Sequence, residues 1–358
     1  MDAILHRRPP SLWEQFRAAP LLFVAERLYA WQMSSSKAHE MPAPKDPKVR
    51  VVCISDTHNV HDSLPPLPDG DILIHAGDLT QSGTIEELHD VLQWLQSQPH
   101  PHKIFIAGNH DRALGDSEAR TALLASYPGL IYLEDSSADL TIRGRTLHVY
   151  GSPYTPQYGN FVFQYPRISS TRARASAQWA CVPAHTDILV THGPPAHHLD
   201  NRAGCPALLA ALWRVRPRLH VFGHIHVARG VEVVAWGRAQ GAYERIVAGL
   251  GGWWDLWSLV RGCFDFASKR QQDCLIAAVS FLTNARQAGA RCLRTATLCE
   301  TCSPGRPVMM QTEVALGHHD PSRVFQPCIS SFLSDWPCAV FATPDVRADY
   351  DLNEMLSF

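Results

Sequence analysis

Short apolar runs, each closed by a polar cluster, set the rhythm of this chain. Val49–Ile54 holds three valines and reads as a buried strand, with Ser55–Asn59 following at once. Asp71–Ile74 ends in His75–Asp78, and Lys103–Ala107 ends in Gly108–Asp111. Ile188–Thr191 runs into His192, Gly193 and two prolines; Leu219–Phe222 runs into Gly223, His224, Ile225 and His226. Cys274–Phe281 predicts a last core strand, with Asn284 just beyond it. Between these runs the spacing turns helical. Glu86–Leu95 puts Leu88, Val91, Leu92 and Leu95 on one side, and Glu118–Ser126, Arg172–Trp179 and Pro206–Arg214 also read as helices. Ile131–Leu133, Leu140–Ile142 and Leu147–Tyr150 predict short strands between turns.

This alternation predicts an α/β fold with mixed sheets and two stacked layers inside. Five polar clusters each begin where a strand ends. In an open α/β sheet that edge is where ligands bind. Residues 1–47 read as an N-terminal extension and linker, with one amphipathic helix over Leu12–Met33 and a Pro/Lys-rich stretch from Pro42 to Lys48. The domain proper spans 48–285, with 227–273 as an insertion carrying Trp253, Trp254 and Trp257. Residues 286–358, rich in Pro, Cys, Arg and Ser, predict an irregular tail.

Charge narrows the function. Thirty-two basic and 34 acidic residues leave a net −2, which argues against a protein that holds nucleic acid through its phosphates. No apolar run is long enough to span a membrane and no secretory signal opens the chain, so the expected location is cytoplasmic. The 10 cysteines form no dense framework; Cys299 and Cys302 are spaced as CxxC, but no second pair completes a zinc site. Histidine is abundant, at 19, and many sit in the strand-end clusters beside aspartate and glycine.

In chain order the clusters offer Asp56 and His58, Asp78, Asn109 and His110, His192, then His224 and His226. Carboxylate, amide and imidazole donors together suit a first-row metal such as Mn, Fe or Zn. They are too many for one tetrahedral ion, and two ions sharing a carboxylate would use them economically. Asp56 and His58 converge on one ion if the strand end stays extended, because residues i and i+2 then point the same way.

The segments VVCISDTHNVH (51–61), LIHAGDLT (73–80), IFIAGNHD (104–111), LVTHGPP (189–195) and LHVFGHIH (219–226) resemble, in order, the blocks of the calcineurin-like metallophosphoesterases. Longer phrases such as VYGSPYTPQYGNFVF and DILVTHGPPAHHLD are similar to the metallophosphoesterase-domain-containing subfamily known from animal brain proteins. The resemblance implies a four-layer α/β/β/α sandwich with two mixed sheets. It implies Asp56, His58 and His226 as ligands of one metal, Asn109, His192 and His224 as ligands of a second, and Asp78 as the bridging carboxylate. His110 then protonates the leaving oxygen, with Asp111 orienting it. The implied cofactors are two divalent ions, manganese first and iron or zinc next. The implied function is phosphodiester hydrolysis of nucleotide-type or small substrates, without stable nucleic-acid partners. A low-activity nucleotide-binding or scaffold protein on the same fold is the alternative, since fold does not fix function. His75 reads either as a core histidine or as one that supports a ligand from behind, and His197 and His198 fall at the implied pocket rim.

Overall fold

The computed structural model describes residues 10–35, 49–169 and 177–264, with strands at 273–278, 292–298 and 310–316. Two short helices open it, α1 (Leu12–Ala18) and α2 (Pro20–Ser35). A single helix over Leu12–Met33 is therefore corrected. Pro20 forbids the α conformation to the residue before it, and Ala19 sits at φ −151°, ψ 76°. A capping box between Ser11 and Glu14 starts α1.

The next elements are β1 (Val49–Ile54), β2 (Ile72–Ala76), α3 (Ile85–Ser97), β3 (His102–Ile106), α4 (Ser117–Ala125), β4 (Ile131–Tyr132), β5 (Ser136–Ile142) and β6 (Arg145–Ser152). They are followed by the small pair β7 (Thr155–Pro156) and β8 (Gln164–Tyr165), then β9 (Ile188–Thr191), α5 (Pro206–Val215) and β10 (Leu219–Phe222). Last come β11 (Gly230–Ala235), α6 (Arg238–Val247), α7 (Trp253–Phe264), β12 (Asp273–Ala278), β13 (Cys292–Leu298) and β14 (Met310–Leu316). Residues 172–176 of the expected Arg172–Trp179 helix lie outside the described residues, as do Asn284, Cys299 and Cys302. Trp179 itself sits in a turn.

One sheet runs β14-β13-β1-β2-β3-β4 and the other β11-β12-β10-β9-β6-β5. Both are mixed: β1 to β4 are parallel while β13 pairs antiparallel with β1, and β6, β9, β10 and β12 are parallel while β5 and β11 are antiparallel edges. Strand alternation sorts the side chains into layers. Val51, Cys53, Ile72, Ile74, Ile104 and Ile106 meet Leu147, Val149, Ile188, Val190, Leu219 and Val221 between the sheets. The opposite faces bury Val52, Ile54, Leu73 and Phe105 under Leu88, Val91, Leu92 and Leu95 of α3. Leu189 and Phe222 pack under Leu208, Ala211, Leu212 and Val215 of α5. Helix, sheet, sheet and helix give the four-layer sandwich.

Two boundary expectations need correction. The interval 227–273 is not wholly an insertion, because Gly230–Ala235 pairs with β12 as an edge strand. The stretch from 286 is not wholly irregular, because Cys292–Leu298 pairs along β1 from Val49 to Cys53 and Met310–Leu316 pairs with it in turn. Both strands are mixed in polarity, so no apolar run announced them. The expected Trp group lies on α7 and is solvent-facing, Trp254 being 83% exposed. Among the described residues no helix is long and apolar enough to cross a membrane.

A buried polar network fastens α2 and α6 to the second sheet. His198, fully buried, bonds Glu232 of β11 through Nδ1 (3.1 Å) and Glu244 of α6 through Nε2 (3.1 Å). Trp213 Nε1 of α5 donates to Glu244 at 2.6 Å, and Tyr29 of α2 donates to Gln240 at 2.7 Å. Tyr29 also stacks on Tyr243 at 3.9 Å. Burial works against an imidazolium here, but the Glu232 and Glu244 carboxylates outweigh it and His198 is raised from 6.5 to about 10. A raised folded-state pKa stabilises the fold fully below the unfolded value and is lost as pH climbs through the folded one. Stability should therefore fall by about 2–4 kcal/mol between pH ~6.5 and ~10, at ~1.4 kcal/mol per unit discounted for coupling. Urea denaturation across that window reads it, and His198→Gln should flatten the slope.

Candidate metal centre

The loops after β1, β2, β3, β9 and β10 meet at one edge of the sandwich, and backbone bonds tie them together. Asp56 N–H donates to Gly77 O (3.0 Å), His58 N–H to Asp78 O (3.2 Å) and Gly223 N–H to His192 O (2.9 Å). His224 N–H donates to the Asp56 carboxylate at 3.0 Å, which joins the two sheets' loops. The ligand-bearing backbone is not extended. Asp56, His58, Asp78 and His224 have φ of 53°, 40°, 51° and 70°. So Asp56 and His58 converge through left-handed turns, not through the i, i+2 alternation of a strand. Such conformations cost of order 1–3 kcal/mol each and persist only where the surroundings enforce them. Two glycines let the loops close: a Cβ on Gly108 would strike Asp78 N and Oδ1, and one on Gly223 would strike Ser55 Oγ and Asp56 Oδ2.

Two donor groups result. Asp56, His58, Asp78 and His226 form one, and Asp78, His192 and His224 the other, with the facing atoms of each group within 4.8 Å of one another. Asp78 belongs to both. Its Oδ1 accepts the backbone N–H of His110 at 2.9 Å, while its Oδ2 faces His58 Nε2 at 3.6 Å and His192 Nε2 at 3.2 Å. His226 Nε2 stands 3.3 Å from Asp56 Oδ1. Asn109 Oδ1 lies 3.0 Å from His192 Nε2, which brings the amide to the second group.

These donors fit a metal. His192 Nδ1 donates to Ala76 O at 2.9 Å, which aims its Nε2 at the Asn109 and Asp78 oxygens. Such a convergence of carboxylate, amide and imidazole in a buried site needs a cation among them, a proton on His192 or a metal in its place. Neither ring nitrogen of buried His58 has a hydrogen-bond partner. Burial holds His58 below its ordinary range, and burial with the nearby His192 takes His224 down to about 4, so both imidazoles present free lone pairs. Burial pushes Asp78 up, yet His192 and His58 outweigh it and keep the carboxylate well below its usual range. Against its own burial, His192 is raised to about 9 by Asp78.

His110 comes to the rim of this cluster, its ring 4.7 Å from that of His58 and 5.3 Å from that of Phe161. Asp111 does not orient it. The buried Asp111 carboxylate instead accepts Gly108 N–H (2.7 Å), Leu79 N–H (3.2 Å), Thr80 N–H (2.9 Å) and Thr80 Oγ1–H (2.6 Å). It clamps the two loops that carry Asp78 and Asn109. The partner of His110 Nδ1 is the Gln81 carbonyl, at 2.9 Å. Gln81 and Phe161 were missed because a backbone carbonyl and a loop aromatic carry no sequence signature of that role. His75 is a core residue whose Nε2 meets Thr57 Oγ1 at 3.0 Å, and burial lowers it to about 3. His198 is not at a pocket rim but inside the network described above.

A four-layer sandwich with paired His/Asp donor groups at its strand ends defines a metal-dependent phosphoesterase scaffold. The calcineurin-like phosphoesterase pattern matches residues 49–228, half of the chain. The chain belongs to the calcineurin-like phosphoesterase family. It is 38% identical to metallophosphoesterase domain-containing protein 1 of Homo sapiens over 56% of this chain and 67% of that protein. It is 32% identical to a UPF0046 protein of Caenorhabditis elegans over 64% of this chain and 81% of that one. It is 45% identical to a probable rhamnogalacturonate lyase C of Emericella nidulans over 78% of this chain, but spans only 27% of that relative's length.

The Asp111 clamp yields a test. Asp111→Ala strands four donors in a buried loop and should cost about 2–5 kcal/mol in urea denaturation. Metal content should drop with it, because Asp78 and Asn109 lose their common anchor.

Proposed function

We propose that the chain hydrolyses phosphate esters, most readily phosphodiesters of nucleotide or small-molecule type, at a two-metal centre. Asp56, His58 and His226 would hold one divalent ion, Asn109, His192 and His224 the other, and Asp78 both. The observation that carries this reading is Asp78 Oδ2, faced by an imidazole from each group at 3.6 and 3.2 Å. Two such ions, when bound, would supply an acidified water and neutralise phosphate charge. Manganese suits the mixed oxygen and imidazole donors, with iron or zinc next.

The chain's own residues do the rest. Asp78 is fixed through Oδ1 by the His110 N–H, so its other oxygen cannot swing away. The His110 side chain is fixed through Nδ1 by Gln81 O, which leaves Nε2 as the atom that delivers a proton to the leaving oxygen. Phe161 on one side and His58 on the other hold the ring upright. Asp111 keeps Asp78 and Asn109 in register through the backbone rather than acting on the acid.

Hydrolysis of bis-p-nitrophenyl phosphate and of cyclic nucleotides with Mn²⁺ tests the reading. His110→Gln should lower kcat by roughly 10²–10⁴-fold with metal content unchanged. Native protein that carries two metal equivalents and turns over none of these esters would sink the proposal. So would a His110→Gln enzyme as fast as the native one.

A further inference from the structure

A third group of donors lies outside the centre, and nothing in the reaction above uses it. His61 opens a 3-10 turn (His61–Ser63) shortly after the β1 loop, and its side chain is 1% exposed. Neither of its ring nitrogens has a hydrogen-bond partner. Leaving such atoms buried and unpaired costs about 1–3 kcal/mol each, so a native histidine in this state is awaiting something. Its Nε2 stands 3.4 Å from Asp90 Oδ2 of α3 and 3.9 Å from Asp62 Oδ1 of the same turn. All three donor atoms lie within 4.8 Å of one another.

We propose that His61, Asp62 and Asp90 bind one divalent transition-metal ion, zinc foremost, separately from the catalytic pair. Ligands held about 2.1 Å from a tetrahedral ion stand about 3.4 Å apart, which the Nε2–Asp90 separation already meets. The Asp62 side chain, 80% exposed, has room to close the remaining gap. Asp90, 68% exposed, leaves the ion open to solvent, so water fills the fourth position. The imidazole selects against Ca²⁺ and Mg²⁺, which take all-oxygen shells, and two carboxylates select against soft thiolate metals. The Trp94 ring, 5.3 Å from the His61 ring, walls the inner side and strengthens the charge interactions there.

The ion would pin the turn to α3 just downstream of Asp56 and His58, stiffening the loop that carries them. This does not depend on the proposed hydrolysis. The test is zinc stoichiometry by elemental analysis after equilibrium dialysis of the full chain. Both aspartates are exposed, so the Asp62→Asn/Asp90→Asn double variant keeps its fold. It should hold one zinc equivalent fewer than the native chain. The same difference of one should appear on an Asp78→Asn background, where the catalytic pair is weakened. That arm separates failure of this site from failure of the dinuclear one. Equal zinc counts with and without the two aspartates, on both backgrounds, would overturn the proposal.

Discussion

Asp78 is one carboxylate asked to serve two groups of donors, and the architecture around it exists to keep that possible. It follows a strand of the first sheet, while His192, His224 and His226 come from the loops of the second. Only a sandwich whose strand ends meet at a common edge can bring them within reach. The His110 backbone fixes one Asp78 oxygen, and the left-handed turn at Asp78 aims the other. Unpaired, that carboxylate would be a costly buried charge. Surrounded by imidazoles, it is ionised and ready for a cation.

The backbone stores the cost of this arrangement. Four donor residues sit at positive φ without the freedom of glycine, and one of them, Asp56, is held by bonds from its N–H to Gly77 and from His224 to its side chain. The Asp111 carboxylate does comparable work for the loops of β2 and β3 by accepting four donors at once. Strain is tolerated because many bonds over-determine each turn. The donors are therefore preorganised before any ion arrives.

Much of this was legible in the chain itself. The parallel core strands announce themselves as apolar runs because both of their faces are buried, and each donor follows such a run directly. That marked Asp56, Asp78, Asn109, His192 and His224 as candidates by position. What sequence could not carry was direction. Asp111 sits beside His110 yet turns inward to backbone donors, and nothing in the pair Asn109–His110 says which neighbour the imidazole bonds. The strands β13 and β14 were hidden for a different reason. Their polar and apolar residues alternate weakly, and pairing with β1 is a long-range contact that no local window can see. Pro20 shows the opposite case, where one residue decides a boundary that periodicity alone would run through.

Those late strands change how the first sheet ends. β13 covers the flank of β1 along Val49 to Cys53, and β14 covers β13 in turn. Cutting the chain near residue 286, where its sequence begins to look dispensable, would strip that flank and leave a row of bare amides and carbonyls beside an apolar strand. Such a margin invites strands from other molecules. A shortened protein would thus be prone to clump even with every donor of its centre intact, and the apparently expendable tail doubles as a guard against stickiness.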